Sequence, residues 1–239
     1  MKLDLLAMAA HPDDVELTCG GTLIKMARLG YRVGILDLTA GEMGTRGSID
    51  TRRKEAAAAA RILGVVHREN LGLPDARLEL RMDYKLAIAR RLRSLRPRTV
   101  ILPYWEGRHP DHYTASRLGY EGCFLAGLKR LELEGEPFRP FKIVYSTSYD
   151  RSVRPSFVVD ITREFSQRNR AILAYTSQFQ PKGRERRSKV YLPLDRLVHQ
   201  VQLVARFYGE MVGVEHAEPF LLKEVMQVED LVDLPVRSI

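Results

Sequence analysis

The chain has 239 residues, 45% of them hydrophobic and 28% charged, with 17 Gly and 12 Pro, which excludes collagen-like, low-complexity and disordered classes. A chain of this length buries enough surface to fold without metal or disulfide staples, so a bound metal would serve chemistry rather than folding. Lys and Arg number 38 against 30 Asp and Glu, a formal charge of +8 with a pI near 9.6, which admits nucleic acid, an anionic membrane surface or a negatively charged small substrate.

The N-terminal run Met1 to Met8 carries an acid, Asp4, and stops at His11-Pro12-Asp13-Asp14, so it reads as a first strand rather than a signal peptide. Strands are expected at Leu3 to Ala10, Arg32 to Leu38, Val65 to Leu71 and Thr99 to Leu102. Between them, helices are expected at Gly21 to Leu29, Thr51 to Leu63 and Met82 to Leu95; the second holds five consecutive alanines and Pro97 stops the third. Gly30 and Gly64 stand at C-cap positions. A fourth helix starts near Pro110 and runs towards Leu128. Strands at Lys142 to Thr147 and Phe157 to Ile161, helices from Glu164 to about Phe179 and from Leu197 to about Met211, and a tail with Pro219-Phe220-Leu221-Leu222 complete the chain. The two cysteines, Cys19 and Cys123, are too few for a disulfide framework or a thiolate zinc site and fit a reducing, cytoplasmic setting.

This alternation specifies one α/β domain over residues 1–239, Rossmann-like, with a mostly parallel sheet flanked by helices. Right-handed crossovers make strands 1 and 4 neighbours at the point where strand order reverses, and ligands bind at the carboxyl ends there. The first strand ends in His11-Pro12-Asp13-Asp14-Val15-Glu16 and the fourth leads into Arg108-His109-Pro110-Asp111-His112, about a hundred positions later. Imidazoles and carboxylates without thiolates are the ligand set of a catalytic zinc with an open position. Asp13 cannot easily share the coordination position of Asp14 but can act as base towards an attacking water. Each His-Pro-Asp could instead cap a helix, with Pro110 at its first position and Asp111 complementing its dipole. Capping requires neither paired carboxylates nor a repeated motif, which favours the metal. No glycine fingerprint follows strand 1, which disfavours a nicotinamide cofactor.

Over nearly its whole length the chain resembles the PIG-L/LmbE-type zinc-dependent N-deacetylases of N-acetylglucosaminyl compounds. The resemblance rests on Ala9 to Glu16 with Cys19-Gly20-Gly21-Thr22, Thr39 to Gly47, Arg52 to Ala56, Arg108 to His112 and Ala217-Glu218-Pro219-Phe220. It implies an LmbE-like fold and one zinc per subunit held by His11, Asp14 and His112. Asp13 would be the general base and a protonated His109 the oxyanion stabiliser. Asp111 would orient an imidazole or cap its helix. The segment Gly41 to Gly47 and Arg68-Glu69-Asn70-Leu71 look most like the bacillithiol-pathway branch, which deacetylates N-acetylglucosaminyl malate. An N-acetylated chitooligosaccharide is the alternative substrate, and a homo-oligomer such as a hexamer is implied.

Arg52 matches a family position that contacts the sugar or its anionic aglycone, although its spacing to Glu55 alone favours a surface ion pair of roughly 0.2–0.5 kcal/mol. Arg108 lies at the mouth of the expected site and suits a malate carboxylate. The basic run Lys182 to Lys189 leads into Tyr191, read either as a solvated loop or as a lid bringing a tyrosine to the metal. Gly41, Gly44 and Gly47 either fit backbone close to a sugar or turn the chain. Glu16 is a near-site acid or a helix-dipole partner, and Cys19 packs in the first helix. His67, His199 and His216 have no companion spacing. Arg90, Arg91, Arg93, Arg96 and Arg98 read as solvated cations at a helix end. A nucleic-acid-binding or nuclease function fits the pI but finds no motif and no aromatic platform, so neither nucleic acid nor membrane is expected as partner.

Overall fold

The computed structural model describes residues 1–150, 152–180, 193–234 and 236. A seven-stranded sheet has the order β3-β2-β1-β4-β5-β7-β6, with β1 at Leu5–Ala9, β2 at Val33–Thr39, β3 at His67–Leu73, β4 at Thr99–Pro103, β5 at Lys142–Ser146, β6 at Phe157–Asp160 and β7 at Ala217–Leu221. β1 pairs in parallel with both β2 and β4, which places the reversal of strand order between β1 and β4 as the crossover argument requires. The tail containing Pro219 is β7, antiparallel to both β5 and β6.

Helices α1 (Asp14–Arg28), α2 (Ile49–Leu63), α3 (Met82–Leu95), α4 (Pro110–Ala126), α5 (Phe165–Leu173), α6 (Thr176–Phe179) and α7 (Leu194–Glu210) complete the fold. Along β1 the side chains alternate: Leu6 and Met8 join one core with Ile88 and Leu92 of α3 and Leu118 of α4. Leu5, Ala7 and Ala9 join the other, with Leu23 of α1, Ala59 and Leu63 of α2 and Ala171 of α5. Both faces of the central strands are thus buried, which explains why they read as unbroken apolar runs. No helix among the described residues is long and apolar enough to cross a membrane.

Two helices and the side chain of Arg93 depart from expectation. α1 begins at Asp14 rather than Gly21 and is broken at Cys19, where φ is −144° and ψ 16°. The helix expected from Glu164 to Phe179 is two, because Tyr175 turns inward between them and its hydroxyl donates to Glu16 at 3.0 Å. Arg93 is no solvated cation: at 4% exposure it donates to the carbonyls of Ala126, Leu128, Leu133 and Gly135, fastening the segment after α4 onto α3.

Candidate metal centre

β1 ends in a tight turn in which Asp14 N–H donates to His11 O at 3.3 Å and Asp13 takes φ 115°, a left-handed backbone costly for a residue with a Cβ. Asp13 is the N-cap of α1, yet its carboxylate makes no capping hydrogen bond. The side chain is turned instead towards Arg52, 3.8 Å away. After β4, His109 caps α4 by accepting from Asp111 N–H at its Nδ1, with Pro110 in the first turn. Capping therefore accounts for His109 and Pro110, and Asp111 stands in the first turn of α4 where it complements the dipole, but Asp13 makes no capping bond.

The ends of β1 and β4 bring the expected residues together. His11, Asp14 and His112 each offer a donor atom, and these atoms all lie within 4.8 Å of one another. Asp14 Oδ2 is 3.2 Å from His11 Nδ1, and Asp14 Oδ1 is 3.2 Å from His112 Nε2. His11, His109 and Asp111 form a second such group, and the His109 ring stacks on His112 at 4.7 Å. Asp111 is buried and accepts from Ala76 N–H at 2.8 Å while its Oδ2 lies 3.3 Å from His11 Nε2. Asp111 thus contacts the His11 imidazole and also stands in the first turn of α4.

The charges are closely coupled. Burial works against a charged His11, but hydrogen bonds to Asp111, Asp14 and Asp75 outweigh it and push its pKa up to about 12. Burial likewise opposes a charged Asp14, and the His112 charge with the bonds from His11 and His112 overrides it, holding this carboxylate well below its usual range. His112 is raised because Asp14 outweighs its burial. Two imidazoles and a carboxylate with donor atoms this close and no thiolate among them fit a metal such as zinc. Burial pushes Asp13 up to about 7, with Arg52 opposing the rise. Burial, then the fields of His112 and His11, lowers the His109 pKa, and its Nδ1 accepts Asp111 N–H at 3.2 Å.

Arg52 is 8% exposed, and the surface pair with Glu55 does not form. Its guanidinium faces Asp13, Pro12 O and Gln178 Oε1, whereas Glu55 accepts from Thr176 Oγ1 and from the backbone and hydroxyl of Ser177. Glu16 is fully buried, paired with Arg68 at 2.6 Å, while Arg68 also holds Asp37. Gly41 and Gly47, at φ 68° and 72°, turn the loop so that it packs on Arg52 and on Ser177. Arg108 is exposed beside His109 on a cavity of about 810 Å³ that also reaches Asp14, His112, Tyr149 and α7. Tyr191 and the segment 182–189 lie outside the described residues.

Two neighbours were not anticipated. Asp75, in the loop after β3, places Oδ1 3.0 Å from His11 Nε2 and accepts Met43 N–H on Oδ2, tying the Gly41 to Gly47 loop to the site. Tyr149, after β5, donates to Asp14 Oδ1 at 3.1 Å and stacks on His112. Neither carries a local spacing that points to His11 or Asp14; a Pro-Asp dipeptide after a strand is the only signal Asp75 offers.

Fold and site together define an α/β protein with a His-Asp centre, able to hold a metal ion, at the switch point of its sheet. The chain belongs to the PIG-L family: the profile of PIG-L, GlcNAc-PI de-N-acetylase, matches residues 6–123. The diacetylchitobiose deacetylase of Thermococcus kodakarensis is 30% identical over 227 residues, 90% of this chain and 80% of that one. A probable N-acetyl-alpha-D-glucosaminyl L-malate deacetylase 2 of Bacillus anthracis is 26% identical over 198 residues, 76% of this chain and 84% of that one. The crystal structure of a conserved protein from Thermus thermophilus is similar with a TM-score of 0.85 and 43% identity, covering 95% of this chain and 98% of that one.

Proposed function

We propose that this protein is a zinc-dependent N-deacetylase that hydrolyses the acetamide of an N-acetylglucosaminyl conjugate, N-acetylglucosaminyl malate above all, releasing acetate and the free amine. The observation that carries the reading is the meeting of His11, Asp14 and His112 donors beside an Asp13 carboxylate spared from helix capping. Zinc, when bound, supplies a Lewis acid for the acetyl carbonyl and lowers the pKa of a coordinated water towards ~7.

The chain's own groups do the rest. Asp13 takes the proton of the attacking water and, protonated, returns it to the leaving amine; its burial, which favours the protonated form, suits it to accepting that proton. His109 Nε2–H stabilises the developing oxyanion. Asp111 and Asp75 accept from His11 Nε2, fixing the tautomer that leaves Nδ1 for the metal. Arg108, on the cavity wall, would take a malate carboxylate in a bidentate contact. The reading extends to one zinc per subunit in a single functional unit over residues 1–239, since one sheet takes strands from Leu5 to Leu221. It also extends to a homo-oligomer, supported by apolar Val225, Leu231 and Val232 standing more than four-fifths exposed, and to a reducing cytoplasm, supported by two buried free thiols.

A diacetylchitobiose-type substrate is the second reading, favoured by the broader match to the Thermococcus enzyme. Acetate release from purified zinc-loaded protein, measured side by side on N-acetylglucosaminyl malate and on N,N'-diacetylchitobiose, separates the two. Preference for the malate conjugate is expected; preference for the neutral disaccharide refutes it.

A further inference from the structure

Helix α1 is two helices end to end, and its break has a built device. A continuous helix would pair Gly21 N–H with Leu17 O and Thr22 N–H with Thr18 O. Here the donors go to one carboxylate: Glu218 of β7 accepts Gly21 N–H at 2.9 Å on Oε1, and Thr22 N–H at 2.7 Å and Thr22 Oγ1 at 2.6 Å on Oε2. The carbonyls go to other side chains: Arg168 of α5 donates to Glu16 O at 3.1 Å and Leu17 O at 2.5 Å, and Ser148 Oγ donates to Thr18 O at 2.7 Å. Arg168 and Glu218 also pair with each other at 3.0 Å, at 3% and 1% exposure.

The orphaned groups of a helix end need partners, and a carboxylate on the donors with a guanidinium on the acceptors also matches the dipoles of the two half-helices. The first half, Asp14 to Thr18, carries Asp14 on its first turn and Glu16 against Arg68. Ser148, which caps the break, is followed by Tyr149, which donates to Asp14. Gly21 is required at the joint, since a Cβ there would stand 2.7 Å from Ile161 Cδ1 and 3.0 Å from Glu218 Oε1.

We infer that Arg168 and Glu218 are positioning residues for the metal centre: the pair holds the short Asp14 to Thr18 half-helix at a fixed angle to the rest of α1 and so aims Asp14 at His11 and His112. The inference rests on the zinc reading above for its metal readout and on the break in α1 alone for its structural one. It gives the Ala217-Glu218-Pro219-Phe220 motif a task, since Glu218 bonds to Gly21, Thr22 and Arg168 rather than to His11, Asp14 or His112.

The test uses the full chain. Glu218→Gln keeps the shape but cannot accept both backbone N–H groups, and Arg168→Lys keeps the charge but loses the fork. Arg93→Met, which removes another carbonyl-binding buried arginine, from α3 on the other face of the sheet, is the control. Zinc affinity, measured by competition with a chelating dye, is expected to fall about 10-fold or more in the first two and to stay at the parent value in the control. In the metal-free protein, amide hydrogen exchange at residues 14–18, taken relative to the β1 amides of the same variant, should accelerate about tenfold in the same two variants and not in the control. Parent-like exchange in Glu218→Gln and Arg168→Lys, or equal acceleration in the control, overturns the inference. If the parent chain binds no zinc, the zinc reading fails while the exchange result still decides the positioning role.

Discussion

Replacing Arg93 by methionine separates a buried cation that fastens a loop from the solvated one its charge run suggests. Methionine keeps most of the apolar stem, so the change isolates the guanidinium. Four carbonyls lose its donors, those of Ala126, Leu128, Leu133 and Gly135 at 2.6–3.0 Å. Ala126 O also accepts Phe138 N–H and Leu128 O also accepts Leu131 N–H, so these two remain partnered. The carbonyls of Leu133 and Gly135 belong to a partly exposed segment that water can reach, which limits the loss. A hydrogen bond from a charged donor contributes about 1.5–3 kcal/mol, and two such losses softened by water amount to about 3 kcal/mol. For a chain of this size that corresponds to a fall in Tm of about 6–12 °C. Differential scanning calorimetry of parent and variant under one buffer measures it. A shift below about 2 °C refutes the reasoning and returns Arg93 to the solvated class.

Other expectations follow from the site and its supports. Arg52→Met should lower kcat by at least about tenfold with KM near the parent value, because the guanidinium faces Asp13; a rise in KM alone would place Arg52 on the sugar instead. Gly21→Ala inserts a methyl group 2.7 Å from Ile161 and should destabilise by about 1–3 kcal/mol in urea titration, an unchanged midpoint contradicting the packing described. Removing metal with a chelator should abolish acetate release yet leave the far-ultraviolet circular dichroism spectrum intact, since two apolar cores hold the sheet; unfolding on chelation would contradict a purely chemical role for the metal.

Much of the fold was legible because the central strands are apolar runs separated by amphipathic helices, and the switch point followed from crossover handedness. His11, Asp14, His109 and His112 were legible for the same reason: they stand immediately after β1 and β4. What local pattern could not show was set by distant partners. Gly21 looks like a helix start because the carboxylate that accepts its N–H and that of Thr22 belongs to Glu218, 197 positions from Gly21. Arg52 looks like half of an i,i+3 pair until α6 arrives and claims Glu55. Asp75 is separated from His11 by 64 positions and by a loop of no regular period. β7 hides behind Pro219, which an antiparallel position next to β6 tolerates. Tyr149 is the tyrosine found against Asp14 among the described residues.

The central claim is that Asp13 moves protons while His11, Asp14 and His112 hold the metal. Asp13→Ala, assayed at once for zinc content by elemental analysis and for acetate release from N-acetylglucosaminyl malate, tests it most directly. The account predicts one zinc per subunit with turnover reduced about 10²–10⁴-fold. Turnover at the parent rate, or loss of the zinc together with the carboxylate, would contradict it.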